Sequence, residues 1–208
     1  MGAGPDAAHG RVLRNVAVPM RDGVRLATNI VLPAADGRFP VILVRTPYNR
    51  IGFWAQALFF AQHGYAFVYQ DVRGRYDSEG SWYPFTSEAS DGFDTQEWIG
   101  RQPWCDGNIG MFGASYMAAV QWLSAPEGSR YLKALCPLFM AGDYLKRAYY
   151  CDGAFSLALS LIWLSIDVPS RTMHSPMLPA YDVRALFRKL PLLELDQAMG
   201  CELPAYRD

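Results

Sequence analysis

The sequence carries almost no net charge: 19 Lys and Arg stand against 20 Asp and Glu, scattered along the chain rather than blocked. That balance excludes the electrostatic footprint of a nucleic-acid binder or of a protein held on an anionic membrane. No apolar run approaches the ~18 residues that a membrane helix needs, and MGAGPDAAHGRVLRN at the start lacks the basic-then-apolar layout of a secretory leader. A cytoplasmic protein is expected. Cysteine is sparse and unpaired in pattern. Cys105, Cys136, Cys151 and Cys201 include no C-x-x-C pair, which argues against a zinc site or a disulfide framework and leaves four reduced, mostly packed thiols. No metal-ligand cluster is present, and no cofactor is expected. Histidine is scarcest of the reactive residues, with three in 208 positions: His9, His63 and His174.

What is present is core-forming material in an alternating rhythm. The chain is 51% hydrophobic and 19% charged, enough to bury one full domain plus an appendage. VAVPMRDGVRLATNIVLP (16–33) reads as two extended runs joined by a tight turn whose Asp-Gly pair supplies the positive φ. A buried strand follows at Val41–Val44, a helix at Phe53–His63 stopped by Gly64, and a strand in YAFVYQD. A turn-rich loop precedes a helix in SDGFDTQEWIGRQ with Ser90 or Asp91 near its start. NIGMFG is then a strand, SYMAAVQWLSA its helix and YLKALCPLF another strand. This order predicts an α/β architecture with right-handed crossovers and an open, mostly parallel sheet with helices on both faces, spanning residues 1–143. Residues 144–208 are apolar, proline-punctuated and without strand rhythm, and are read as two or three helices outside the sheet.

The chemistry concentrates at GNIGMFGASYMAAVQW (107–122). A lone serine between a buried strand and a helix, with small neighbours, has the layout of a nucleophile elbow. Gly113 two positions before Ser115 and Ala118 three after it relieve the crowding of such a turn. At the helix start the backbone N–H of Tyr116 is placed to stabilise an oxyanion. The competing reading makes Ser115 a helix cap and Gly113 a packing glycine.

Further stretches carry a resemblance. DGVRLATNIVLP, RTPYNR, GYAFVYQDVRGRYDSEGSW and SDGFDTQEWIGRQPWCDGNIGMFGASY, in that order over residues 16–139, resemble the cocaine-esterase and X-prolyl dipeptidyl aminopeptidase family of α/β-hydrolases. That family also contains cephalosporin acylases and α-amino-acid ester hydrolases. The resemblance implies an α/β-hydrolase fold and a serine hydrolase that cleaves an ester or amide in a small molecule or short peptide through an acyl-enzyme. Ser115 lines up with the family's nucleophile and Tyr48 with the tyrosine whose hydroxyl completes the oxyanion hole beside the Tyr116 N–H. Asp71, Arg73, Gly74, Ser78 and Gly80 match its D-x-R-G-x-x-x-S-x-G loop, with Arg73 as a brace. Tyr76 and Ala118 depart from the pattern, each standing where a smaller residue is usual.

A serine hydroxyl needs a base. The family supplies its partners in the order serine, aspartate, histidine, and His174, in SRTMHSPM, is the one histidine after Ser115. Its partner would be Asp143, Asp152 or Asp167. The resemblance implies a different arrangement: residues 144–208 begin a helical cap, and the aspartate and histidine lie beyond residue 208. On that reading this polypeptide is a truncated form, very weak as a catalyst. The alternative function is an inactive remnant or interaction protein.

Overall fold

The computed structural model describes residues 10–140, 142–143, 146, 149–168, 171–172, 182–200 and 203–207. The described chain falls into two compact units, 1–140 and 141–208.

The first unit is built on a six-stranded sheet. Strands β1 (Arg11–Pro19) and β2 (Arg25–Leu32) form the opening hairpin, turning through Gly23 at φ 86. The others are β3 (Phe39–Thr46), β4 (Ala66–Asp71), β5 (Cys105–Ala114) and β6 (Leu132–Leu138), in the spatial order β1-β2-β4-β3-β5-β6. Pairings β3–β4, β3–β5 and β5–β6 are parallel, whereas β1–β2 and β2–β4 are antiparallel. The expected α/β, mostly parallel sheet is therefore what the chain forms.

Side-chain alternation divides the work of the two faces. On one face, α1 (Trp54–Gln62) packs with Ala57 and Ala61 turned toward Val31, Val44, Phe67 and Tyr69. The two alanines, four apart, let the helix lie close, and Phe60 stacks on Phe67 at 5.4 Å. On the other face lie α2 (Glu88–Gly100) and α3 (Tyr116–Ser124), joined where Gln96 Nε2 donates to Ser124 Oγ at 3.1 Å. Helix α2 starts two residues before the predicted Ser90, with Ser87 at the cap position. Asp91 lies in the first turn of α2, where its carboxylate is taken by Arg73 at 2.7 Å.

From β3 the chain passes to β4 on one side, and from β5 it passes to β6 on the other. The space between the carboxyl ends of β3 and β5 is thus a topological switch point, where ligands bind in open α/β sheets. Tyr48 follows β3 and Ser115 follows β5.

The second unit opens with a feature that the apolar run concealed. Tyr150–Cys151 (β7) and Ala154–Phe155 (β8) pair as a small antiparallel hairpin turned by Asp152 and Gly153, both at positive φ. Helix α4 (Leu157–Ile162) continues as a π-helical stretch over Trp163–Asp167. Short helices follow at Val183–Leu186 (α5), Leu195–Ala198 (α6) and Pro204–Arg207 (α7), the last tied back by Arg207 Nε to Asp196 at 2.9 Å. The expectation of helices alone thus missed a hairpin whose two-residue strands are too short to show periodicity. The expected packing of the thiols is also corrected: Cys105 is buried, but Cys136 and Cys151 are exposed, Cys136 because it lies on the edge strand β6. Cys201 lies outside the described residues.

Candidate active site

Ser115 sits where β5 gives way to α3, with φ 57 and ψ −123. A non-glycine residue there stores about 1–3 kcal/mol of strain, which the surroundings must hold. They do so from both sides. The Ser115 N–H donates to the Leu138 carbonyl at 2.9 Å, while its own carbonyl accepts from Ala118 and Ala119 at 2.8 and 3.0 Å. Gln121, buried on α3, donates to the Gly113 carbonyl at 3.3 Å and accepts from the Cys136 N–H at 3.0 Å, stitching the elbow to β6. The serine itself is exposed.

Gly113 stands at φ 147, and a Cβ there would meet the Met117 Cβ at 2.4 Å. Neither atom can swing away, so Gly113→Ala is expected to lower fold stability by about 2 kcal/mol or more. An unchanged urea midpoint would contradict this reading of the turn.

Tyr116 is 2% exposed, and its ring is anchored rather than free to turn. The hydroxyl donates to Glu88 Oε1 at 2.8 Å and accepts from the Phe85 N–H at 3.0 Å, and the ring stacks on Phe85 at 4.6 Å. Burial first, then the neighbouring Glu88, pushes the Tyr116 phenol well above its ordinary range, so it stays protonated as a donor. Glu88 belongs to a buried charge network. Arg45 reaches Glu88 Oε2 at 2.9 Å and Gln70 Oε1 at 2.8 Å, and Gln70 in turn bonds Thr28 and Thr95.

The Tyr48 ring meets the Tyr116 ring edge-on at 6.5 Å, so the two sequence-predicted tyrosines come together beside Ser115. The segment that carries Tyr48 is held from below. Its N–H donates to Thr46 Oγ1 at 3.0 Å, the Pro47 carbonyl accepts from the buried Arg75 at 2.9 Å, and the Arg50 N–H donates to Asp71 Oδ1 at 2.7 Å. Arg73 does act as a brace, though elsewhere: it joins Asp91 of α2 to Asp22 of the hairpin turn. Sequence reading missed Arg75, Arg45 and Glu88. Only Arg45 left a signal, as a charge set directly after the apolar VILV run. Tyr76 adopts φ 46, so the loop tolerates it by a left-handed turn.

Asp71, fully buried against Arg50, is pushed up to about 6 by burial, against the pull of the Arg50 N–H and guanidinium. Because the folded chain then holds this proton more tightly than the unfolded one, the stability owed to this group is complete below the unfolded value of 3.8 and is lost as pH rises through 6. The Asp71 carboxyl carbon is therefore expected to titrate by NMR near pH 6; a midpoint below 4 would contradict it.

The acid and base are another matter. His63 ends α1, which starts after the carboxyl end of β3 and finishes before the amino end of β4, so it lies at the opposite end of the sheet from Ser115. There its Nδ1 stands 2.7 Å from the Phe59 carbonyl. His9 and His174 lie outside the described residues, as does the Asp167 side chain. Asp143 accepts from the Lys146 N–H at 3.0 Å, and Asp152 serves the β7–β8 turn. Among the described residues no group of His, Cys, Asp and Glu is arranged to hold a metal ion, and no helix is long and apolar enough to cross a membrane.

Known proteins resemble this chain in sequence and fold. The chain is 44% identical over 162 residues to the cocaine esterase of Rhodococcus sp. strain MB1 Bresler, an alignment covering 74% of this chain and 28% of that protein. Among solved structures, an α-amino acid ester hydrolase superposes with a TM-score of 0.76 at 25% identity, over 96% of this chain and 37% of the other. A CocE/NonD family hydrolase from Staphylococcus aureus matches at 32% identity and a TM-score of 0.54, over 60% of this chain and 26% of that one. The chain thus spans about a quarter to a third of the length of these relatives. With its sheet order, its strained serine elbow and a family match over residues 22–202, this chain belongs to the X-Pro dipeptidyl-peptidase (S15) family, with an α/β-hydrolase fold.

Proposed function

We propose that Ser115 is the nucleophile of a serine hydrolase that cleaves an ester or amide, in a small molecule or a short peptide, through an acyl-enzyme. The observation that carries this reading is the backbone of Ser115 itself: a strained, exposed serine at the switch point, whose side chain makes no capping hydrogen bond to α3. In the reaction, Ser115 Oγ attacks the carbonyl carbon as a base takes its proton, and the carbonyl π electrons move onto oxygen. The Tyr116 N–H, at the start of α3, and the Tyr48 hydroxyl donate to that oxyanion. Collapse expels the alcohol or amine, which takes up the proton, and water then releases the acid by the same route. Protein groups suffice for these steps, so no cofactor is part of the proposal. The free thiols fit a cytoplasmic setting.

One observation favours a second, narrower reading of the polypeptide by itself. His63, the described imidazole, lies at the opposite end of the sheet from Ser115, so unless His174 or sequence outside these residues supplies the base, turnover by residues 1–208 is expected to be very weak. Oxyanion stabilisation and binding without a base leave only about 1,000-fold over water.

The two readings meet in one experiment. Incubating the chain with p-nitrophenyl acetate in imidazole buffer supplies a base from solution. Peptide mass mapping is expected to find an acetyl group on Ser115; acetylation confined to lysines would oppose the nucleophile assignment.

A further inference from the structure

On the α1 face, strand β1 is broken by a bulge between Leu13 and Val16, where Asn15 takes φ 53. Bulges re-aim side chains out of a ladder. The Asn15 N–H donates to Asn29 Oδ1 at 2.9 Å, and its side-chain oxygen accepts from Arg50. Beside this junction lies a cavity of about 340 Å³. Its size is at the lower end of the ~300–1,000 Å³ usual for small-molecule sites. The elbow residues are not among its walls.

The lining is unusual for the face of a sheet that is otherwise apolar. Tyr69 is 2% exposed and Asn29 7%, on adjacent strands at paired positions. Asn29 stands within hydrogen-bonding reach of the Tyr69 oxygen, and its own Oδ1 already accepts from the Asn15 N–H. The buried Arg50 uses its terminal nitrogens on Asp71, Asn15 and Asp77, and its Nε has no partner. Arg14 lies over the Trp54 ring at 5.3 Å and faces no carboxylate within ion-pair distance among the described residues. The groups facing the space are therefore surplus donors. Asp77 is the lining carboxylate, and it is already engaged by Arg50 at 2.8 Å. A buried donor without an acceptor is costly, so the cavity as built calls for an acceptor. Trp54 and the exposed Ile51 add an apolar wall.

We propose that this cavity is a second ligand site, taking a small monocarboxylate with an apolar body. The carboxylate pairs with Arg14 and accepts from the Tyr69 hydroxyl, while the apolar part lies along Trp54 and Ile51. This inference does not depend on the role of Ser115.

Calorimetric titration of the 208-residue chain with phenylacetate and with its neutral counterpart phenylacetamide tests it. Phenylacetate is expected to bind saturably and about tenfold tighter than the amide, as a charge-assisted contact requires. Arg14→Gln, at an exposed position, removes that tenfold preference and leaves the amide unaffected; Tyr69→Phe weakens phenylacetate severalfold. Tyr48→Phe leaves both unchanged. Equal affinity for acid and amide, no saturable binding, or an Arg14→Gln variant that binds phenylacetate like the original would overturn the proposal. So would loss of binding in Tyr48→Phe, which would put the anion at the elbow instead. Should Tyr69→Phe fail to fold, as read by circular dichroism, Arg14→Gln still decides.

Discussion

Arg45→Ala is expected to cost about 3–5 kcal/mol of fold stability, the penalty for leaving a buried partner charge uncompensated. The guanidinium is fully buried at the end of β3, where it meets Glu88 Oε2, the Glu88 carbonyl and Gln70. Glu88 is itself buried, and burial already raises its carboxyl above the ordinary range, with Arg45 pulling the other way. Removing Arg45 leaves Glu88 either charged and buried without its counter-ion or protonated at neutral pH. Both states cost free energy relative to water. Domains of this size have about 5–15 kcal/mol in hand, so the variant is expected to melt far below the original and to lose most of its urea resistance. The double replacement Arg45→Met with Glu88→Leu removes both charges and is expected to recover much of the loss. A single variant within 1 kcal/mol of the original would mean that the pair is not carrying a desolvated charge. Because Tyr116 hangs on Glu88, the elbow is expected to loosen in the same variant.

Tyr48→Phe is expected to leave stability nearly unchanged and to slow acylation of Ser115 by about 10²–10³, the usual loss when one oxyanion donor is removed. The ring is half-buried against Tyr116, and phenylalanine keeps that edge-on contact. Only the hydroxyl is lost. The comparison that reads it is the rate of Ser115 modification in imidazole buffer for the two chains. Equal rates would remove Tyr48 from the oxyanion site and leave the Tyr116 N–H as its remaining donor.

Much of the first unit was legible because its signals are local. Val41–Val44 as a continuous apolar run, Gly64 as a stop and Asp22-Gly23 as a turn each state their structure within a few residues. The elbow was legible for the same reason, since Gly113, Ser115 and Ala118 satisfy one crowded turn. What lay hidden depends on partners far apart in the chain. Arg75 reaches back 28 residues to the Pro47 carbonyl, and Glu88 forward 28 to Tyr116, and no pattern in either segment announces the other. The β7–β8 hairpin was missed because two-residue strands carry no period.

The most direct test of the account is the intact mass of the folded 208-residue chain after treatment with a fluorophosphonate, with and without imidazole, beside Ser115→Ala. The account predicts one adduct that forms slowly or not at all in plain buffer, forms with imidazole, maps to Ser115 and is absent from the variant. A folded chain that imidazole leaves unlabelled, or one that labels equally with alanine at position 115, would contradict it.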